Sequence, residues 1–343
     1  MFTMIINQTN KSIDFKKLEY PDHNSKVTKH FSYVHNLFLR NSLKDKTIKI
    51  DNNLSIISKE KGIKYVSFLS DFLKAKRNIN YTSGTYFIYK YKEEGKFYFE
   101  AEDRVRMFIT AVRIYKNTPC DTRIHFSIED TRKNKFYRPF DFFDFTSDLF
   151  GSNGKSYIDS RKELNIIKKI YEQLKEAKFE KTIYYSKIYN AVKFFNHSYN
   201  EKWTLLKTTL AITALESLFS DSDKNEITYK IAIRSAYFIY PNKPKERKET
   251  FDFVKYAYNI RSHFVHGSNV EKELTKIEKK LHQKKGGDYY SFHDNFVRDL
   301  NDIVTRCLAK ALLDKVSFNF FNSTSLSSQD EADFYDKLVL PDK

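Results

Sequence analysis

The side chains best suited to chemistry stand together in one short segment, Arg261-Ser262-His263-Phe264-Val265-His266. An imidazole titrates near neutrality and can pass a proton to or from a reacting oxygen. A guanidinium is a planar, permanently charged donor fork for an anion. On a helical wheel at about 100° per residue, Arg261 falls within an apolar arc of Phe253, Val254, Ala257, Tyr258, Ile260, Phe264 and Val265. Ser262, His263 and His266 fall on the opposite arc with Asp252, Lys255 and Asn259. Ser262 and His266 are related as i, i+4, and His263 and His266 as i, i+3, so these polar residues share a face.

Arg261 and His266, by contrast, diverge by about 140° on a straight helix. A shared site within one chain requires the helix to end or unwind near Gly267, or the arginine arm to reach around. A second copy across a two-fold axis is another solution, because an isologous interface brings both motifs to the axis. The same residues also have a purely structural reading: a salt bridge from Arg261 to a buried acid, and His266 as a helix C-cap with Gly267 supplying the left-handed turn. Spacing does not separate these readings, since Arg followed five residues later by His arises readily by chance in a basic chain.

Other chemistries lack their minimum residues. His263, His266, His282 and His293 match no zinc spacing, and Cys120 and Cys307 are unpaired in sequence, so no metal site, disulfide framework or cofactor is expected. There is no glycine-rich phosphate loop, no Gly-x-Ser-x-Gly and no His-Glu-x-x-His.

The elements that must position the segment are long helical patterns: roughly 158–177, 181–199, 201–219, 226–240, 246–266 and 289–315. Breakers fall between them at Asp221 to Asp223, Pro241, Pro244, Gly267 and Gly286-Gly287. Thr208 to Ser220 carries one charge, Glu216, and is apolar all round, which predicts burial. Ile231 to Asn242 carries only Arg234, and Tyr256 to His266 only Arg261 as a permanent charge. Isolated buried charges are costly, so Glu216 is expected to pair with Arg234 or Arg261.

Earlier in the chain the pattern is different. Tyr86 to Lys92 and Lys96 to Glu102 flank Glu93-Glu94-Gly95 and read as a hairpin, followed by short strands at 109–115 and 123–128, the former also readable as a helix over 104–115. Val66 to Lys76 reads as a short helix, and the first sixty residues resist assignment. Phe150 to Lys155, with two glycines, reads as a linker. The expected fold is therefore α+β: a mixed domain with an antiparallel sheet over 1–150, an all-α bundle over 156–316, and a surface tail over 317–343 whose tract from Asp333 to Leu340 can dock locally.

The net charge of +16 draws polyanions, although a lysine-rich surface also reflects composition alone. Lys243, Lys245, Arg247, Lys248, Lys284 and Lys285 lie near the motif helix and can contact phosphates without reading sequence. No apolar run is long enough to span a membrane and no signal-peptide core is evident, so a cytoplasmic protein is expected.

Three motifs in order, Ala214-Leu215-Glu216-Ser217-Leu218-Phe219, Ile231-Ala232-Ile233-Arg234-Ser235-Ala236 and Tyr258-Asn259-Ile260-Arg261-Ser262-His263-Phe264-Val265-His266-Gly267, resemble the Apea-like branch of the HEPN superfamily. The resemblance covers the helical half. It implies a homodimeric helix bundle carrying an Arg-x4-His motif for metal-independent RNA cleavage, often in phage defence or toxin-antitoxin systems, with an antitoxin or regulatory protein as a further partner. By that likeness His266 exchanges the proton, Arg261 holds the scissile phosphate, Ser262 orients either group, and His263 supplies a complementary acid. Glu216 and Arg234 support the motif helix. Some members of the superfamily have lost catalysis and only bind RNA or protein.

Overall fold

The computed structural model describes residues 2–7, 13–17, 27–35, 37–40, 43, 47–58, 84–90, 98–118, 120–130, 134–140, 156–177, 186–223, 225–285 and 289–340. The expected helix at 66–76 and the linker residues 150–155 lie outside them. The chain divides into two compact units, Met1–Tyr171 and Glu172–Lys343. The fold is α+β.

In the first unit the elements are β1 (Phe2–Asn7), β2 (Ile13–Lys17), β3 (Val27–His35), β4 (Leu37–Leu39), β5 (Ile48–Lys49), β6 (Leu54–Ile57), β7 (Gly84–Lys90), α1 (Tyr98–Lys116), β8 (Asp121–Asp130), β9 (Asn134–Phe140), β10 (Ser156–Ile158) and the start of α2 (Arg161–Ala177). An eight-stranded sheet runs β2-β1-β9-β8-β3-β7-β6-β5, antiparallel at each pairing. β4 and β10 form a separate parallel pair. On β7 the side chains from Thr85 to Tyr89 are all buried, so both faces of this strand are covered. Phe87 packs on Phe108 of α1 with centroids 5.3 Å apart, and Phe108 meets Tyr171 of α2.

The hairpin expected at Tyr86 to Glu102 does not form. Its first strand exists as β7, but β7 pairs with β3 and β6, and Tyr98 onward is helix. Val105, Phe108, Ile109 and Val112 explain why: their i, i+3, i+4, i+7 spacing gives one buried stripe, which outweighs the strand preference of the aromatic residues before it. This is the helical alternative over 104–115. The short strand expected at 123–128 is present within β8.

The second unit holds the end of α2, then α3 (Lys187–Asn200), α4 (Thr204–Phe219), α5 (Ile227–Ile239), α6 (Pro244–Val265), α7 (Val270–Lys285), α8 (Tyr289–Leu313), α9 (Lys315–Asn322) and α10 (Ser328–Val339). Local signals set the ends. Ser186 caps α3 by accepting from the Tyr189 amide, Pro244 opens α6 in its first turn, and Ser327 and Asp330 form a reciprocal capping box on α10. α7 was read in the sequence only as a basic segment.

α4 is buried along Ala211, Ile212, Ala214, Leu215, Leu218 and Phe219. Its hydroxyls bond back one turn: Thr208 to the Thr204 carbonyl, Thr209 to Leu205, Thr213 to Thr209 and Ser217 to Thr213, at 2.8–3.0 Å. Thr208 is thus buried, and Thr209, Thr213 and Ser217 are half-buried, with their donors satisfied. Lys207 is also buried; burial pushes its ammonium below the ordinary lysine range, partly offset by the charges of Asp294 and Glu201.

The C-terminal segment is folded as α9 and α10, with the tract from Asp333 docking as the sequence allows and residues from Phe318 onward packed as well. Phe318, Phe321 and Tyr335 are buried. Phe321 meets Phe219 and Phe238 edge-on, and Phe320 stacks on Phe334 at 3.7 Å. Tyr335 donates to the Leu218 carbonyl at the end of α4. The Ser-rich, acidic composition of 323–336 suggested solvent exposure; the aromatic residues at 318, 320, 321, 334 and 335 carry the docking. Among the described residues no helix is long and apolar enough to cross a membrane.

Candidate active site

α6 carries the motif and runs as helix to Val265. The His266 amide still donates to the Ser262 carbonyl at 3.0 Å, so the helix does not unwind between Arg261 and His266. It stops immediately afterwards. Gly267 takes φ +67°, its amide bonds to the Phe264 carbonyl, and the Ser268 amide bonds to the His263 carbonyl at 2.8 Å. These two bonds are a Schellman closure, which needs a left-handed residue at that position. His266 is therefore the C-cap, with an exposed side chain.

Arg261 turns the other way. Its Nη2 lies 3.4 Å from Glu216 Oε2 on α4, with 24% of the arginine and 15% of the glutamate side chain exposed. Of the two pairings expected for Glu216, this is the one formed. Tyr258, one turn before Arg261 on α6, completes the group: Arg261 Cζ lies 5.5 Å from its ring centroid. Burial pushes the Glu216 carboxyl above the usual range, opposed by the Arg261 charge and the Tyr258 hydrogen bond. Burial and the Glu216 charge likewise push the Tyr258 hydroxyl up. Among the described residues Arg261 bonds only through Nη2; Arg261 Nε and His263 Nδ1 are buried without a hydrogen-bond partner.

Arg234 belongs elsewhere. Its Nη1 donates to the Phe219 carbonyl at 2.7 Å and its Nη2 to Asp221 at 2.6 Å, while Tyr335 lies under the guanidinium. Lys230 adds a second cation to Asp221. Burial pushes the Asp221 carboxyl up, but the hydrogen bonds and charges of Arg234 and Lys230 outweigh it and hold it below the usual range. This cluster fixes the α4–α5 turn and the C-terminal helix, not the motif.

Ser262 and His263 are half-buried on α6. Lys243, Lys245 and Lys248 are exposed around the start of α6, far along the helix from His266, and Arg247 stacks on Tyr237 at 4.1 Å. Lys284 and Lys285 end α7, and of their side chains nothing is described. Among the described residues no group of three or more His, Cys, Asp or Glu is disposed to hold a metal ion.

Three contributors escaped the sequence reading. Asp221 was taken for a helix breaker, Tyr258 for a member of the apolar arc, and Trp203 was given no role. Trp203 caps α4, is 57% exposed, and meets Phe264 of the motif edge-to-face with centroids 5.0 Å apart. Tyr258 was legible in principle, because its i, i+3 relation to Arg261 places both on one face. No protein-family model matches the chain, and comparisons with curated proteins and with solved structures find no match.

Proposed function

We propose that this protein is a metal-independent endoribonuclease of the HEPN type, with Arg261 and His266 as its catalytic pair in a homodimer cleft. The observation that carries the reading is the arrangement at the end of α6: an exposed imidazole at the C-cap, and a guanidinium anchored by one nitrogen with a quarter of its side chain open. His266 takes the proton of a ribose 2′-hydroxyl, whose oxygen attacks the neighbouring phosphorus. The bond from phosphorus to the 5′ oxygen breaks, and an imidazolium, from His263 or from a second copy's motif, protonates that leaving oxygen. Arg261 balances the extra negative charge on the phosphoryl oxygens. Ser262, between them in sequence, orients either group. A 2′,3′-cyclic phosphate and a 5′-hydroxyl result, with no metal in the scheme.

The continuous helix directs Arg261 and His266 apart, which is why the proposal places the cleft between two copies. Phage defence or a toxin-antitoxin pair is the setting the motifs suggest, the cytoplasm the compartment, and an antitoxin or other regulatory protein a further partner.

A second reading, a non-catalytic HEPN module that binds RNA or a protein, is favoured by one contact. Arg261 already spends Nη2 on Glu216, as a structural ion pair would. Incubation with labelled single-stranded RNA and tRNA in EDTA separates the two. Cleavage by the wild type, lost in His266→Ala and Arg261→Ala of unchanged fold and oligomeric state, supports the enzyme. RNA binding without cleavage, unchanged by either substitution, supports the binding module.

A further inference from the structure

We infer that Trp203 is a stacking platform for an unpaired nucleobase, placing the strand so that its phosphate reaches Arg261. The inference rests on the proposed function for the class of ligand, single-stranded RNA.

Trp203 is the only tryptophan of the chain, and 57% of it is open to solvent. An indole joins a large apolar face to one polar N–H, the combination that enriches tryptophan at contact sites. This one is held. Phe264 supports it edge-to-face with an interplanar angle of 87°. The loop beneath it is pinned where Glu201 Oε1 accepts the Lys202 and Trp203 amides at 2.7 and 3.0 Å, and the Trp203 carbonyl accepts the Lys207 amide as the first bond of α4.

Position supplies the ligand class. Phe264 stands one turn after Arg261 on α6, so the ring that supports the indole and the arginine leave the same face of that helix. Val265, the next residue on α6, is 52% exposed. An aromatic ring beside an arginine is what a single strand needs, since every base has a π-face to stack and every nucleotide a phosphate to pair. Glu201, two residues before Trp203, has an oxygen engaged by two amides and acts on the buried Lys207, and the chain as a whole carries +16. That positive field draws a polyanion.

Because Trp203 is the sole indole, its fluorescence reports on this position alone. The full-length protein is titrated with a short 2′-O-methyl oligouridylate, which lacks the attacking hydroxyl, and with an abasic chain of equal phosphate count. Saturable quenching by the oligouridylate and none by the abasic chain is expected. Trp203→Ala should weaken oligouridylate binding about 5- to 150-fold, the range of one base stack, while Trp203→Phe retains most of it and abasic binding is unmoved. Unchanged emission on RNA binding, wild-type affinity in Trp203→Ala, or no binding at all overturns the inference. So does an emission shift that depends only on protein concentration, which would mean that a second copy covers the indole. The cleavage assay stands apart: quenching without cleavage sinks the nuclease reading and leaves the platform, and cleavage without quenching does the reverse.

Discussion

The guanidinium carbon of Arg234 lies 3.9 Å from the ring centroid of Tyr335. That single stack joins α5, in the middle of the helical unit, to α10, its last helix, and the Tyr335 hydroxyl adds a bond to the Leu218 carbonyl. Tyr335→Ala should therefore cost about 3–5 kcal/mol, the range for truncating a buried aromatic residue. Tyr335→Phe keeps the ring over Arg234 and should cost only about 0.5–1.5 kcal/mol for the lost hydrogen bond. Denaturant unfolding of both variants checks the ratio. Equal, negligible losses would mean that α10 is a passive appendage.

Two carboxylates of this unit should give stability slopes of opposite sign with pH. Asp221 is held below its ordinary 3.8, so its contribution is present above that pH and is lost as pH falls through the folded value. Glu216 is pushed above its ordinary 4.5, so its contribution is present below that pH and is lost as pH rises through the folded value. Raising the pH from 3 to 7 should thus favour the wild type over Asp221→Asn and should favour Glu216→Gln over the wild type. Parallel melts across that range test both signs.

Removing either partner of the Arg261–Glu216 pair leaves a partly buried charge, and each substitution, Arg261→Met or Glu216→Leu, should cost about 1–3 kcal/mol. The double variant should recover much of that loss, because no charge remains to be solvated. A double-mutant cycle by denaturant unfolding measures the coupling. Strict additivity would mean that the two groups do not interact.

At the helix end the costs separate cleanly from the chemistry. Gly267→Ala meets no atom within 4 Å of its added carbon, so the expected loss of about 1–2 kcal/mol is purely that of a left-handed backbone. His266→Ala, at an exposed position, should stay within about 0.5 kcal/mol of the wild type while abolishing the proposed RNA cleavage. A folded, fully active His266→Ala protein would remove His266 from the mechanism.

The helical half was legible because its signals are local. Pro244, Gly267 and the uninterrupted apolar composition of α4 each act within a turn or two, and Glu216 announced its need for a partner by being alone among apolar residues. What stayed hidden depended on distant parts of the chain. Arg234 found Asp221, a residue whose turn-forming role masked its charge. Tyr98 to Glu102 read as strand from composition, but the buried stripe from Val105 to Val112 decided in favour of helix. The C-terminal helices were missed because polar residues outnumber the few aromatic ones that dock them. Within the site, the direction of each side chain from the helix axis was readable, whereas the third member of the Arg261 cluster, Tyr258, disappeared into an apolar arc.

The ladder of hydroxyls along α4 bears on how the unit opens. Thr209, Thr213 and Ser217 already bond to carbonyls of their own helix, so these hydroxyls have little to gain from water when the neighbouring helices move away. The amides of Ala211 to Leu218 should accordingly be the slowest in the unit to exchange their hydrogens for deuterium, reporting global unfolding and not local fraying. Any shortened version of the chain meant to stand alone would have to keep this segment whole.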